Sequence, residues 1–545
     1  MTADRGPLAY RQLRAPSEDG GALVEPGSDS WRDSVRENQR RTAARDEQRW
    51  AGMALGDLRR FAREQLLAEA QRHTGQYRGI ARDSASTAPL LLTGHQPQLF
   101  HPGVWFKNFV LAALARQVAA PAVNLIIDND TIRAAAIRVP RFADLGDTWA
   151  SMIEYDRPGD EVPFEERAVL DTDQFRSFPN SIRSELATAL ADPLVDSLWP
   201  VACEALADTD RLGLCLSRAR NVIESEAGVS VLDVPLSTVC DGWPFRWFAM
   251  GLLEDAERFR EVHNQVLAEY RRTHRIRSRS HPVPELTRDG DWCETPFWLW
   301  TSDSPRRRRL FARRLPKVLE LTDRTAWRLT LARPGDGDAG RAVEQLAEAR
   351  RQGVKLRPRA LLTTLFARLL LSDQFVHGIG GAKYDQLTDS LFERYLGLTP
   401  PTFVTATATL RLPIASSISP PPSNQPETRR VIDLLRALRF HPEFFLTDSQ
   451  MSEVEVARRV AEKRHWLQVD SQRGSRLARH RALGALNESL HNLVRHLEPG
   501  LLTDLAAARR EERRRALLRS REFSYVLFPK NWIVPRLLEL AAPTS

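Results

Sequence analysis

Lysine is nearly missing from this chain. Of its 78 basic residues only Lys107, Lys317, Lys355, Lys383, Lys463 and Lys530 are lysine, and the rest are arginine. Either these six are scattered by chance, or some are kept as compact, flexible point charges that a planar guanidinium cannot replace. Cysteine is scarce too. Cys203, Cys215, Cys240 and Cys293 are too widely spaced for a C-x-x-C zinc or redox pair and too few to staple 545 residues, so they read as reduced thiols, most of them buried. No apolar run approaches the roughly 18 residues that span a bilayer. The N-terminal MTADRGPLAYRQLRAP has no apolar segment of the signal-peptide kind, so a cytoplasmic chain with no membrane partner is expected. The motifs H-E-x-x-H and G-x-S-x-G are absent, and the glycine-rich turn HGIGGAKYD matches neither G-x-G-x-x-G nor the phosphate loop with its terminal GK[ST], which leaves zinc-protease, serine-hydrolase, NAD(P)-fingerprint and P-loop chemistry without support. No metal is expected.

What is present is a soluble-type composition, 42% hydrophobic, with a formal charge of +8 and a pI near 9.6. That balance permits nucleic-acid binding. However, the arginines interleave with acids, as in RENQRRTAARDEQR and AARREERRRALLRSRE, which reads as solvated helix faces.

The stretch from Leu90 to Phe109, LLLTGHQPQLFHPGVWFKNF, organises the rest. Its apolar run, Pro89 to Leu92, reads as a buried strand that stops at Thr93-Gly94 before a Gly/Pro-punctuated turn holding His95, Gln96 and His101. A helix follows over Val104 to Val118, and a second apolar run, Val123 to Ile127, ends in Asp128-Asn129-Asp130. The strands start about 30 residues apart, the length of one βαβ unit, in which ligands sit beyond the carboxyl ends of parallel strands. Val229 to Val239 reads as a third core strand ending at Asp241, and Thr402 to Leu412 as another. The turn HGIGGAKYD contributes His377, Gly378, Gly380, Gly381, Lys383, Tyr384 and Asp385 between a short strand and a helix. Four polar strand ends are thus expected at one site.

The expected organisation is a mobile segment over residues 1–30, an N-terminal helical arm over 31–80, and an α/β core over 85–412. Insertions interrupt the core at about 140–228 and at about 280–335, the second β-rich. A proline-rich linker over 413–426, a helical, coiled-coil-like segment over 427–521 and a closing segment over 522–545 complete it. The helical segment makes a homodimer an expectation.

The first turn joins two histidines to a helix N-terminus, a place for a phosphate or carboxylate. His95 and His101 can stabilise charge on a transferred group; alternatively His95 is hydrogen-bonded into the strand end as a structural residue. Lys107 strengthens the anion site if it faces the crevice, and Gly94 and Gly103 also serve simply as turn formers. Asp128, Asn129 and Asp130 can hold an amine or ribose hydroxyls or supply a base, at most two of them reaching a ligand, with helix capping the other use of Asn129 or Asp130. Arg306 to Arg309 either bind phosphate or form a solvated strand edge.

These residues carry a resemblance. TGHQPQLFHPGVWFKN resembles the Thr-Gly-Gln-Gln turn and helix start of the bacillithiol-biosynthesis cysteine-adding ligases, the BshC family. IIDNDTI resembles that family's strand ending in an Asp-His-Asp-like cluster. RPRALLTTLFARLLLSDQFVHGIGGAKYDQLTDSLFERYLGLTPPTFV resembles its Arg-Pro, Gly-Gly-Pro-Gly-Glu and Pro-Pro segments, and REFSYVLFP its terminal segment. The His-Gln-Pro turn alone is also similar to the WbqC-like proteins of glycan biosynthesis. The ligase resemblance implies a Rossmann-like nucleotidyltransferase-type parallel sheet with helical and β insertions and a C-terminal helical domain. It implies amide formation between cysteine, or another amino acid, and an amino sugar conjugate. ATP or another adenine nucleotide is the expected cofactor, and small molecules rather than nucleic acid the expected partners. Under this reading His95, His101, Asp128 and Asp130 do chemistry, while Thr93, Gly94, Gln96, Gly103, Lys107, Asn129, Asp241 and the 377–385 residues bind. His95 stands where the family has glutamine, Asn129 replaces its central histidine, Gly381 lies near its glutamate and Asp385 replaces an aromatic, so a changed substrate is expected. The alternatives are a nucleotidyltransferase-like enzyme on a different sugar or amine, and a non-enzymatic basic scaffold that binds nucleic acid.

Overall fold

The computed structural model describes residues 13–80, 88–142, 148–186, 190–333, 339–414, 428–469 and 476–542. The chain is mixed α/β, with a six-stranded, mostly parallel sheet and a helical C-terminal region. It divides into two compact units, one made of residues 1–139, 152–413 and 521–545, the other of 140–151 and 414–520. Among the described residues no helix is long and apolar enough to cross a membrane.

The first unit is built on strands β1 (Gly21–Glu25), β2 (Leu91–His95), β3 (Ala122–Ile126), β4 (Leu232–Pro235), β5 (Gln374–His377) and β6 (Phe403–Thr409). Their order across the sheet is β1-β6-β5-β2-β3-β4, and only the β1–β6 pair is antiparallel. Strands covered on both faces need near-continuous apolar runs, and AVNLI in β3 is buried throughout. β2 does not stop at Thr93-Gly94 as its sequence suggests. Thr93 donates its hydroxyl to the Val376 carbonyl at 2.7 Å, and Gly94 and His95 stay in register with Leu125 and Ile126. The sheet therefore absorbs the turn signal and delivers His95 at the strand's end.

Mobility was expected through residue 30, but Gly21–Glu25 lies along β6 as an edge strand. Residues 1–12 lie outside the described residues, as does the proline-rich stretch from 415 to 427. A second, antiparallel sheet is formed by Trp292–Thr301, Ser304–Arg314, Val318–Thr322, Arg328–Ala332 and Val354–Pro358. One large hydrophobic cluster, running from Leu55 and Leu66 through Phe245, Phe297 and Phe366 to Leu398, packs helices and both sheets together.

The second unit consists mainly of helices. Thr428–Phe440 packs against Glu498–Leu518, and Val454–Gln468 against Arg476–Val494. A small core of Val456, Val460 and Leu490 holds the latter pair, and the buried Lys463 is satisfied by Glu443 at 2.6 Å and by the Phe440 carbonyl at 2.7 Å.

Candidate active site

The chain runs outward from β2 to β3 and β4, then returns to the other side of β2 for β5 and β6. The direction of travel reverses between β2 and β5, and ligands in open parallel sheets bind beyond the carboxyl ends of the strands at such a point. A cavity of about 1170 Å³ opens there. Single-ligand pockets measure roughly 300–1,000 Å³, so this one has room for more than one small ligand.

Two helices begin at its floor, Pro102–Val118 after β2 and Ile379–Leu391 after β5. Neither has an acidic residue in its first turn, whereas the helices Trp31–Ala43 and Leu55–Thr74 carry Asp33 and Asp57 there. Both helix dipoles are thus left for an anion from outside the helix, and the N-terminus of Ile379–Leu391, whose N-cap Gly378 has no side chain to cap it, also keeps its first N–H groups for one. His101 caps the first helix, its Nδ1 accepting from the Gly103 amide at 3.1 Å, with Pro102 at the next position. Burial lowers its pKa, against the pull of nearby Glu522. Gly103 is required by close packing: a Cβ would collide with the Ala408 carbonyl, and with Thr407 Oγ1 at 2.8 Å. The closing segment meets this turn, Tyr525 donating its amide to the Phe100 carbonyl at 2.9 Å and packing on Trp105.

Lys107 lines the cavity and donates to the Gly94 carbonyl at 2.8 Å. Burial, helped by the positive field of Arg220, brings its pKa down to about 7. His95 also lines the cavity, and burial first, then Arg220 and Lys107, push its pKa far below that of an ordinary histidine. Its ring nitrogens face two acceptors, the Asn108 Oδ1 at 3.3 Å and the Gln96 carbonyl at 3.2 Å. Asn108 is held in that orientation because its amide donates to Glu224 at 2.7 Å. A neutral imidazole can satisfy only one of the two. His95 is therefore the cavity end of a buried chain that continues through Glu224 to Arg220 and Asp233.

On the β3 side Gln96 donates to Asp130 Oδ2 at 3.0 Å, and Arg307 reaches Asp130 Oδ1 at the same distance. Asn129 does not cap a helix; it donates to the Pro358 carbonyl at 2.8 Å and so ties β3 to the second sheet. Gly378, Gly380, Gly381, Lys383, Tyr384, His377 and Asp385 all border the cavity from the β5 side. Arg307 and Arg359 stand over Trp298, 5.0 and 4.2 Å from its ring centre. Of the arginine run, Arg307 is the member most turned inward, with 23% of its side chain exposed against 70% for Arg306. Strand alternation contains that signal; the choice of face does not follow from it.

Three expected residues are not brought to the cavity. Thr93 spends its hydroxyl inside the sheet. Asp128 turns away, accepting from the Ser237 amide at 2.9 Å and from the Ser237 hydroxyl at 2.5 Å, which fastens the end of β3 to the short helix Leu236–Cys240. Asp241 lies beyond that helix and pairs with Arg357 at 2.8 Å and Arg350 at 2.6 Å, at a separate small cavity. β4 ends at Pro235, earlier than its apolar pattern suggests, so Asp241 is not a strand end. Three polar strand ends meet, not four. Among the described residues no group of three or more His, Cys, Asp or Glu is arranged to hold a metal ion.

Two outcomes follow from the buried charges. Ammonium at Lys107 is needed to hold an anion, so affinity for a phosphate ligand should fall as pH rises through about 7, approaching tenfold per unit above it, measured by calorimetry between pH 6 and 9. Asp128 is raised to about 7, first by burial and then by Glu165. A raised carboxyl favours the native state fully below its unfolded value and loses that contribution as pH climbs through about 7. Asp128→Asn, which can still accept from Ser237, should therefore melt at or above the wild-type temperature at pH 8 and below it at pH 4; the reverse order would show that the folded chain favours the charged carboxylate over the neutral one.

Compared with known proteins, this chain matches no family model and no curated protein.

Proposed function

We propose that the chain is a BshC-like ligase on a Rossmann-like nucleotidyltransferase-type core, joining an amino acid, cysteine in the family pattern, to a sugar amine. One observation carries the reading: two helix N-termini without acidic first turns, that of Ile379–Leu391 uncapped, and Lys107 converge at the reversal point of a parallel sheet, in a cavity with room for two substrates. That constellation suits the phosphates of ATP or another adenine nucleotide, with Lys107 as the point charge among donors fixed in place. ATP supplies the activation of a carboxyl group, and Asp130, oriented by Gln96 and Arg307, faces the cavity as an anchor for an amine. The meeting of these groups in one cavity counts against the nucleic-acid scaffold, which calls for an extended basic face.

A ligase of the same type with another amine or sugar substrate is the second reading. It is favoured by Asn129, whose amide is committed to Pro358 and so does not serve as the ionisable group its family counterpart provides. The test is to incubate the protein with ATP, cysteine and glucosaminyl malate and seek the coupled thiol by mass spectrometry, repeating with other amino acids and amino sugars. Product from the first mixture supports the family reaction, and product from the others only supports the second reading. No amide product with any pair would overturn both.

A further inference from the structure

At the β5 side of the cavity His377 and Asp385 form a pair that phosphate binding does not use. His377 Nε2 lies 2.9 Å from Asp385 Oδ2. An ionised carboxylate only accepts, so Nε2 carries a proton, and in the neutral ring the lone pair is then on Nδ1. Burial alone would raise the Asp385 carboxyl, but the Arg368 guanidinium and His377 hold it well below the usual carboxylate range. Arg368 also pairs with Asp389 at 2.7 Å. The charged groups around the imidazole are thus Asp385, Asp389 and Arg368, with Lys107 beyond Gly378, where a Cβ would meet its side chain at 3.6 Å. Phe375 and Phe403 fix the ring, their centres 4.4 and 4.9 Å from it.

What Nδ1 faces is decided by one position. A Cβ on residue 381 would stand 2.7 Å from His377 Nδ1, closer than such atoms approach. Glycine at 381 keeps a side chain off that nitrogen, and both residues border the cavity, where His377 retains 4% of its surface. We infer that His377 is the proton acceptor of this site, taking through Nδ1 the proton of a substrate ammonium group. The N–H bond breaks with its electron pair left on the amine, the proton adds to Nδ1, and the positive charge passes to an imidazolium that Asp385 faces. The free amine is then the nucleophile for the activated carboxyl. Asp385 and Gly381 are positioning residues, one fixing the tautomer and the other keeping the lone pair accessible. The identity of the proton donor rests on the ligase reading; the open imidazole does not.

The test uses the full chain in two arms. Diethyl pyrocarbonate, which acylates unprotonated imidazole, should modify His377 in the wild type, located by peptide mass spectrometry. In Gly381→Ala, checked for native melting, the rate should drop at least about tenfold, since the added methyl stands on the reacting nitrogen. An unreactive His377, or one equally reactive in a folded Gly381→Ala, overturns the inference. In the second arm His377→Gln should lose about 100-fold or more in kcat, with KM within a few-fold and the acidic limb of the kcat profile abolished. An unchanged acidic limb also overturns it. A wild-type chain that couples no amine sinks the ligase reading instead, and the pyrocarbonate arm then decides alone whether His377 is a base that reagents in the cavity can reach.

Discussion

Replacing Lys107 by methionine should weaken ATP binding about 100-fold at pH 6.5 and abolish the pH dependence of that binding. Methionine fills the same unbranched volume, so the helix Pro102–Val118 should keep its packing. What is lost is the ammonium group, 2.8 Å from the Gly94 carbonyl and with two further donors for an anion. A charge-assisted hydrogen bond contributes roughly 1.5–3 kcal/mol, and each 1.4 kcal/mol is a factor of ten. Lysine's scarcity makes the substitution informative. Arg116 lies on the same helix, so arginine is admissible in it, yet at position 107 a compact, titratable charge is buried in the cavity wall. Lys107→Arg should rescue binding only in part, because a guanidinium is bulkier than the ammonium it replaces and stays charged across the whole pH range. Calorimetry on the three proteins checks both statements. Equal affinities for wild type and Lys107→Met would remove lysine from the account.

Arg220→Met should cost about 3–5 kcal/mol of stability in urea unfolding of the full chain, the largest loss expected of any single change discussed. Arg220 sits between Glu224 at 3.1 Å and Asp233 at 2.5 Å, all three almost wholly buried. Removing the cation leaves two carboxylates facing each other without water. Adding Glu224→Gln and Asp233→Asn should return part of the loss, since a buried ionic group is costly mainly when it is left incomplete. The change should also reach the cavity. Arg220's field depresses both His95 and Lys107, so both pKa values should rise in the variant and the pH at which phosphate affinity declines should move upward. A variant as stable as the wild type would mean that the buried charges are hydrated.

The polar strand ends were legible where an apolar run breaks off into polar residues, with glycine or proline punctuation at two of the three. His95 and Gln96, Asn129 and Asp130, and the residues from His377 to Asp385 come to one cavity because parallel strands all end on the same side. Asp241 was misplaced by the same logic. Its apolar stretch continues through Val239, but Pro235 ends the strand and Asp128 captures Ser237, turning Leu236–Cys240 into a helical turn. That capture is a contact across 109 residues, and periodicity cannot contain it. The edge strand Gly21–Glu25 was hidden for a similar reason, since five residues among glycine and proline become a strand only when β6 supplies the partner.

Arg307 and Arg359 were also beyond local reading. Both are placed by Trp298, and their role depends on which face of the second sheet meets the cavity. Arg359 is the more telling of the two: it is paired with Glu294 at 2.9 Å, yet its buried Nε and Nη2 have no hydrogen-bond partner among the described residues. Among the expected residues, Asp128 illustrates the opposite error. A carboxylate at the end of a core strand reads as chemistry, and here it secures the fold.

The account stands or falls on whether the reversal point between β2 and β5 recognises phosphate. The most direct measurement is calorimetric titration of the wild-type chain with ATP and, separately, with adenosine, at pH 6.5 and fixed salt. The account predicts saturable ATP binding, with adenosine weaker by two orders of magnitude or more, since the two helix dipoles, the uncapped N–H groups of Ile379–Leu391 and Lys107 act only on the phosphates. Equal binding of the two, or no heat with ATP at millimolar concentration, would contradict it.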